Sequence, residues 1–577
     1  MPDLPNPQQD PGMERRLLLV FALTFLVIIV FQPLLKKYLP QAPAEPKPTA
    51  VQRPATNPPA AATQSPPPAP APAVGGKQAS AETEIVVQND FYRITFTNRG
   101  AQVKSWVLKK YDDDNRKPLD LVNHSAAEQY GGPLSLWVYD AALRDKINSA
   151  LFVPSNSEPV TAPGELSFEY ADQDIVVRKT FRFDSSYVIH VATSVSSKGS
   201  FVTALPMWPA GFGDQATIAG YRGSQIEYQN DGTTEHIDPK KISGGNTLRG
   251  PFDWAGTSDA YFAAVFLPEN PAAAAAVTLR SALNVPKDPQ KPTETQAVDV
   301  LGTAVGNLEG PTSERMYVGP KSLQVLEGIH VPTIVGTHQD LRALVNFGFF
   351  GAIARPLFIW LRWTYEHWVP NWGWAIVIQT FIITVALLPL RISSMKSMLK
   401  MQRIQPQMKA IQEKYKKYSM RDPRKQEMNK ELMDLQKKAG VNPLGGCLPM
   451  LIQLPFIWAY YKMLGGAIDL RHAPWLWIHD LSARDPYFIL PIAMVLTMVL
   501  TQRMTPQAGM DPAQQRMMNW MMPLMMGFIF FNLAAGLNLY YAESNLISIA
   551  QQAVMNRTEL GREMRELAAK RARKKDK

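Results

Sequence analysis

The residues with the most chemical potential stand where a charge-free chain would be expected. Gln379, Thr380 and Thr384 interrupt Trp372 to Leu390, a nineteen-residue run without a charge. Gln453 sits in the apolar run that follows Cys447, and Asn538, Tyr541, Glu543 and Asn545 sit in the last apolar block, Asn519 to Gln552. As helices, these runs would put Thr380 and Thr384 on one face and Asn538, Tyr541 and Asn545 on another. Hydrocarbon cannot satisfy such groups, so they either bond neighbouring helices or line a wet groove that thins the lipid. Glu543 is costly there unless paired or hydrated. Proton-transfer, nucleophilic and metal chemistry find no support. There is no GxSxG elbow, no HExxH, no Walker loop and no dinucleotide turn. The eight histidines lack ligand spacing and the single cysteine, Cys447, cannot form a disulfide within the chain, so neither a cofactor nor a metal is expected.

The elements that carry these residues follow from hydropathy and charge. A nineteen-residue helix rises roughly 28 Å, close to a bilayer's hydrocarbon thickness. Arg391 closes the first run, and Arg391 to Gly440 holds fourteen basic residues against five acidic. Short basic loops stay cytoplasmic, which orients the spans on either side. The expected spans are 371–391, 445–466, 486–502, 519–534 and 536–555. The last block is divided because a single crossing would place the basic tail, 556–577, outside. Residues 392–441 read as a helical hairpin broken at Asp422-Pro423, whose charge suits an anionic partner or an incoming peptide. Arg391, two residues beyond Pro389, reaches the first run only if the helix bends.

Upstream, residues 1–38 carry a fifteen-residue apolar run after Glu14-Arg15-Arg16 and read as a signal anchor, the first of six spans. Residues 39–82 are rich in Pro, Ala, Gln and Thr and read as an extended tether. From 83 to 335 the pattern has period two, as in Tyr187-Val188-Ile189-His190-Val191, and predicts an exported antiparallel β-sandwich. No His–carboxylate cluster is evident within it. Residues 340–369 predict an amphipathic helix lying in the membrane interface, or a linker helix packed on the sandwich. The polar, Trp-bearing loop after 466 suits an external interface. Methionines concentrate in the fourth and fifth spans and the 503–518 loop between them, a flexible surface for varied apolar segments.

Long motifs then point one way. NPLGGCLPMLIQLPFIWAYYKML (442–464), RHAPWLWIHDLSARDPYFILPI (471–492), DPAQQRMMNWMMP (511–523) and GLNLYY (536–541) resemble the YidC membrane protein insertases, as do NRGAQVKSWVLKKY (98–111) and VGPKSLQVL (318–326). The resemblance implies a polytopic α-helical membrane protein of six spans with a five-helix insertase core and an exported all-β supersandwich. It implies no enzyme, an inner-membrane location with both termini cytoplasmic, and a monomer acting on nascent membrane proteins. The Sec translocon, anionic lipids and the ribosome, through the basic tail, are implied partners. Substrate contact carries over to Thr380 and Tyr541 in a groove with Gln379, Thr384, Gln453, Asn538, Glu543 and Asn545. The family's groove arginine, five residues before the span's proline, is Thr384 here. Either Arg391 replaces it, or hydration through Thr384, Gln379 and Glu543 suffices. A small-solute transporter or channel is the rival, though no internal repeat supports it. A sugar-modifying enzyme would need an acid/base pair in the sandwich.

Overall fold

The computed structural model describes residues 76–221, 223–237, 239–287, 293–332, 339–418, 422–440, 448–504, 517–559, 561–563 and 566. The anchor, the tether up to residue 75 and most of the basic tail lie outside them, as do Cys447 and most of the 503–518 loop. Among the described residues, those within Arg403–Val441 form one compact unit and the rest another.

The β domain owes its architecture to period two. Along Ile175–Phe183 the burial alternates strictly, with Ile175, Val177, Phe181 and Phe183 inward. That strand is central to a ten-stranded sheet, flanked by Gly164–Ala171 and Val188–Ser197 in antiparallel register. Two five-stranded sheets complete the domain, one starting at Glu84–Gln88 and one built on the long hairpin Ala274–Pro286 and Thr295–Asn307. All three contribute to one core that includes Ile94, Trp106, Phe181, Phe266, Val305 and Met316. Two features depart from an all-antiparallel reading. Glu84–Gln88 pairs in parallel with Val160–Thr161. Two helices, His124–Tyr130 and Ala141–Ser149, interrupt the strands, each started by a side chain (Asn123 and Asp140) that accepts a backbone N–H.

From Gly351 the period changes to that of helices, numbered here α1 Gly351–His367, α2 Trp372–Ala386, α3 Leu388–Lys414, α4 Arg424–Lys438, α5 Leu448–Gly466, α6 Ile489–Met504, α7 Met522–Phe530 and α8 Ala535–Arg557. α1 buries Ala354, Leu357, Phe358 and Leu361 in the core it shares with α2, α5 and α8, and exposes Ile359 and Trp363. It packs chiefly on helices, meets the β domain at Leu323 and Gln324, and keeps an apolar outer face. Between α2 and α3 the axis turns by 48° beside Pro389, which has no N–H to continue the ladder. Among the described residues no single helix is long and apolar enough to cross a membrane, whereas this bent pair is. The remaining apolar helices are short, and a break between α7 and α8 divides the last block. α3 and α4 face each other in the hairpin unit, where Glu431 accepts from Lys414 Nζ at 2.8 Å and Tyr415 Oη at 2.9 Å.

Candidate functional site

The polar residues of the helical half separate into three groups. The first is buried packing. Gln379, Thr380 and Asn538 are fully out of solvent. Gln379 donates to the Leu357 carbonyl at 2.9 Å and accepts from the Tyr460 hydroxyl at 2.6 Å, joining α1, α2 and α5. Thr380 returns its hydroxyl to the Ile376 carbonyl one turn back, and Asn538 Nδ2 donates to the Phe530 carbonyl at 3.1 Å across the α7–α8 break. Buried polar groups cost little only when bonded, and these donors are bonded.

In the second group, Tyr541 and Asn545 face α7 and α6. Tyr541 packs its ring edge-on against Phe530, centroids 4.8 Å apart, and Asn545 donates to Thr497 Oγ1 at 3.4 Å. The face that spacing assigns to Asn538, Tyr541 and Asn545 is thus a helix–helix contact. Glu543 is half-buried, and its Oε2 has no hydrogen-bond partner among the described residues.

The third group makes a cavity. A space of about 30 Å³, room for about one water, is lined by Ile383, Thr384 and Leu387 from the end of α2, Leu390 and Arg391 from α3, Gln453 and Phe456 from α5, and Tyr540 and Ser544 from α8. Thr384 and Arg391, seven residues apart and so on nearly the same helical face, lie on either side of the 48° turn and both line this space. Arg391 is held there by Ser548 Oγ at 2.5 Å and Gln551 Oε1 at 2.8 Å, which accept from its two terminal nitrogens. Gln551 Nε2 in turn approaches the Thr384 carbonyl at 3.4 Å. Of the predicted residues, Thr384, Arg391 and Gln453 meet in this cavity. Sequence reasoning missed Tyr540, Ser548 and Gln551. The signal was present as a small polar stripe, Ser544, Ser548 and Gln551, at spacings of four and three.

Comparison with known proteins agrees with this division of the chain. A family model described as YidC periplasmic domain matches residues 84–360, and one described as 60Kd inner membrane protein matches 363–562. The chain is 32% identical over 577 residues to a protein of Geobacter metallireducens named membrane protein insertase YidC, covering 95% of this chain and 99% of that one. This chain belongs to the YidC family. A YidC insertase of Geobacter sulfurreducens is 33% identical over 488 residues, covering 81% of this chain and 85% of that relative. A solved YidC insertase with its first transmembrane domain resolved matches 84% of this chain and 94% of its own at 20% identity, with a TM-score of 0.32.

One sequence reading needs correction against the structure of this YidC member. The β domain does hold a His–carboxylate cluster. Glu227, almost wholly buried, has His236 Nδ1 at 3.3 Å, accepts from the Ser258 hydroxyl, and has Lys321 Nζ at 4.0 Å. Glu227 and His236 face each other across a hairpin closed by Asp231-Gly232, whereas Ser258 and Lys321 join them from distant segments. His236 Nε2 also meets Asn346 Nδ2 at 2.7 Å, on the segment that leads into α1. Hydrogen bonding to Glu227 raises the His236 pKa, and Lys321, with His236 and Ser258, holds the Glu227 carboxyl below its ordinary value despite burial. Oε1 accepts the Ser258 hydroxyl, while Oε2 faces the His236 ring and has no further hydrogen-bond partner among the described residues. The loop after α5 is anchored at one of its tryptophans, while Leu476 stays exposed. Trp475 is buried against Gly373, where an added Cβ would lie 2.1 Å from its ring.

Proposed function

We infer that this protein inserts membrane proteins into the bacterial inner membrane, using the cavity at the α2–α3 bend as the cytoplasmic mouth of a hydrophilic groove. The observation that carries the reading is the meeting of Thr384, Arg391, Gln453 and Ser544 inside an otherwise apolar helical assembly. Moving a short hydrophilic segment through unbroken hydrocarbon is prohibitive, because each unsatisfied polar group costs several kcal/mol. A hydrated recess across one leaflet lowers that barrier, and partition of the client's apolar span into lipid supplies the drive. Arg391 fits the part of the family's groove arginine: a cation near the mouth draws the acidic residues of a client's leading segment. Gln379, Thr380, Asn538, Tyr541, Glu543 and Asn545 lie deeper or to the side, and serve the groove when helices part to admit a client.

The remaining assignments belong to the same reading. Six spans place both termini in the cytoplasm and the β domain in the periplasm. α3 and α4 form a capture arm, with the exposed Met517, Met521 and Met525 offering a soft apolar approach beside α7. The Sec translocon, the ribosome at the basic tail, and anionic lipid are its partners. Photo-crosslinkers at Thr384 and Gln453 should capture a stalled nascent membrane protein, while crosslinkers at the outward-facing Phe381 and Leu546 should label lipid. Equal capture of the nascent chain at all four positions would remove the groove.

A further inference from the structure

The segment Ala467–Asp485, between α5 and α6, is wedged between two cores. Ile468 belongs to the core of the sandwich, whereas Ala467, Leu470, Ala473, Ile478 and Leu481 belong to that of the helices. On the sandwich side the Arg471 side chain, only 8% exposed, lies 5.4 Å from the ring centre of Tyr261 and 5.5 Å from that of Phe262, with Nη2 3.5 Å from Asp114. A cation at that range over two rings in a desolvated site is a strong anchor. His472 Nε2 lies 3.5 Å from the same carboxylate, and Arg116 donates to the His479 carbonyl at 3.0 Å.

On the helical side the same segment holds three helix ends. Ala535 and Gly536, opening α8, donate to the Ala483 and Leu481 carbonyls at 2.7 and 2.9 Å. Asn371, which caps α2, donates to the Pro474 carbonyl at 3.0 Å. Asp485, buried, accepts from Tyr487 at 3.1 Å and Leu490 at 2.7 Å, at the opening of α6. The end of α5 runs directly into the segment, five residues before Arg471.

We propose that Arg471 is a positioning residue: seated in its Tyr261–Phe262–Asp114 socket, it lets the β domain set the separation of α5 and α8. Those two helices supply Gln453, Phe456, Tyr540 and Ser544 to the cavity, so their separation sets how wide it opens. The β domain then acts as a brace on the mouth of the groove, a role that rests on the insertase reading for its purpose but not for its detection.

The test uses the full chain in lipid vesicles, with Cys447 replaced by serine and a single cysteine at Ser544. The readout is its rate of modification by a water-soluble methanethiosulfonate reagent, with no client present. Arg471→Ala and Tyr261→Leu should each raise the rate about fivefold, the ratio matching loss of one such cation–aromatic contact, and Arg471→Lys should raise it less. Limited proteolysis should still release an intact β domain. If Arg471→Ala does not fold, Tyr261→Leu and Arg471→Lys carry the reading alone. Unchanged rates would overturn the proposal, as would a rise in Arg471→Ala that Tyr261→Leu does not reproduce. Because the measurement needs no insertion, its failure is separable from failure of the insertase reading.

Discussion

Arg391 reaches across from α3 to α8 and donates to Ser548 Oγ at 2.5 Å and Gln551 Oε1 at 2.8 Å. One guanidinium thus holds the floor of the cavity together, and its planar fork suits two acceptors a turn apart. Arg391→Ala leaves both acceptors without their donor and should cost about 1.5–3 kcal/mol of stability. It should also slow insertion of clients with acidic leading segments more than of those with neutral ones. Arg391→Lys, keeping charge without the fork, should fall between. Thermal unfolding in detergent and insertion into vesicles measure the two effects. Wild-type rates with both clients would detach Arg391 from the groove.

Gly373 gives the closest helix–loop approach in the helical half. A methyl group there would meet the Trp475 ring at 2.1 Å, between α2 and a loop fixed by backbone bonds. Gly373→Ala should therefore destabilise by about 1–3 kcal/mol, the usual cost of overpacking. Gly465→Ala, with no atom within 4 Å of the added carbon, is the control. Matching melting temperatures for the two variants would show that the loop yields.

Lys179 makes the β domain sensitive to alkaline pH. It falls on an inward position of Ile175–Phe183, is almost wholly buried, and donates to the carbonyls of Gly100, Ala101 and Leu134 at 2.7, 3.1 and 2.8 Å. Burial pulls its pKa down to about 7. Below that value both folded and unfolded chains hold the proton. Above it, up to the ordinary lysine value, the unfolded chain binds more, so stability should rise with pH. Lys179→Met should abolish this rise and lower stability by about 1–3 kcal/mol through the abandoned carbonyls. Denaturation profiles of the two proteins between neutral pH and pH 10 would reveal it.

His236 gives the opposite slope. Its pKa is raised by Glu227, so the stabilisation from the pair is complete below the unfolded value, near pH 6.5, and is lost as pH climbs through the folded one. Glu227, held low, adds stability above its unfolded value that disappears in acid. His236→Gln should remove the histidine's falling contribution above about pH 6.5, seen as a steeper net rise than in the wild type, and should loosen Asn346. Hydrogen-exchange protection factors across 339–350, corrected for the intrinsic pH dependence of amide exchange, read both, and identical pH profiles of protection in wild type and His236→Gln would refute the linkage.

Much of this was legible in the chain because local pattern and local structure share a period. Alternation in Tyr187–Val191 and Arg93–Phe96 is the sandwich, and the charge-free run ending at Leu390 is α2 with the start of α3. Composition also marked which helices carry polar residues. It did not say where those residues point, because the neighbour of each is set by how helices distant in sequence cross. Gln379 and Asn538 became packing bonds, Tyr541 an aromatic contact, and Thr384 a cavity wall. The bonds from Arg391 to Ser548 and Gln551, the arrival of Ser258 and Lys321 beside the Glu227–His236 hairpin pair, and the seat of Arg471 between two cores belong to the tertiary structure alone. Hydropathy and charge are properties of a segment, whereas a socket exists only between segments, and its geometry is decided when they pack.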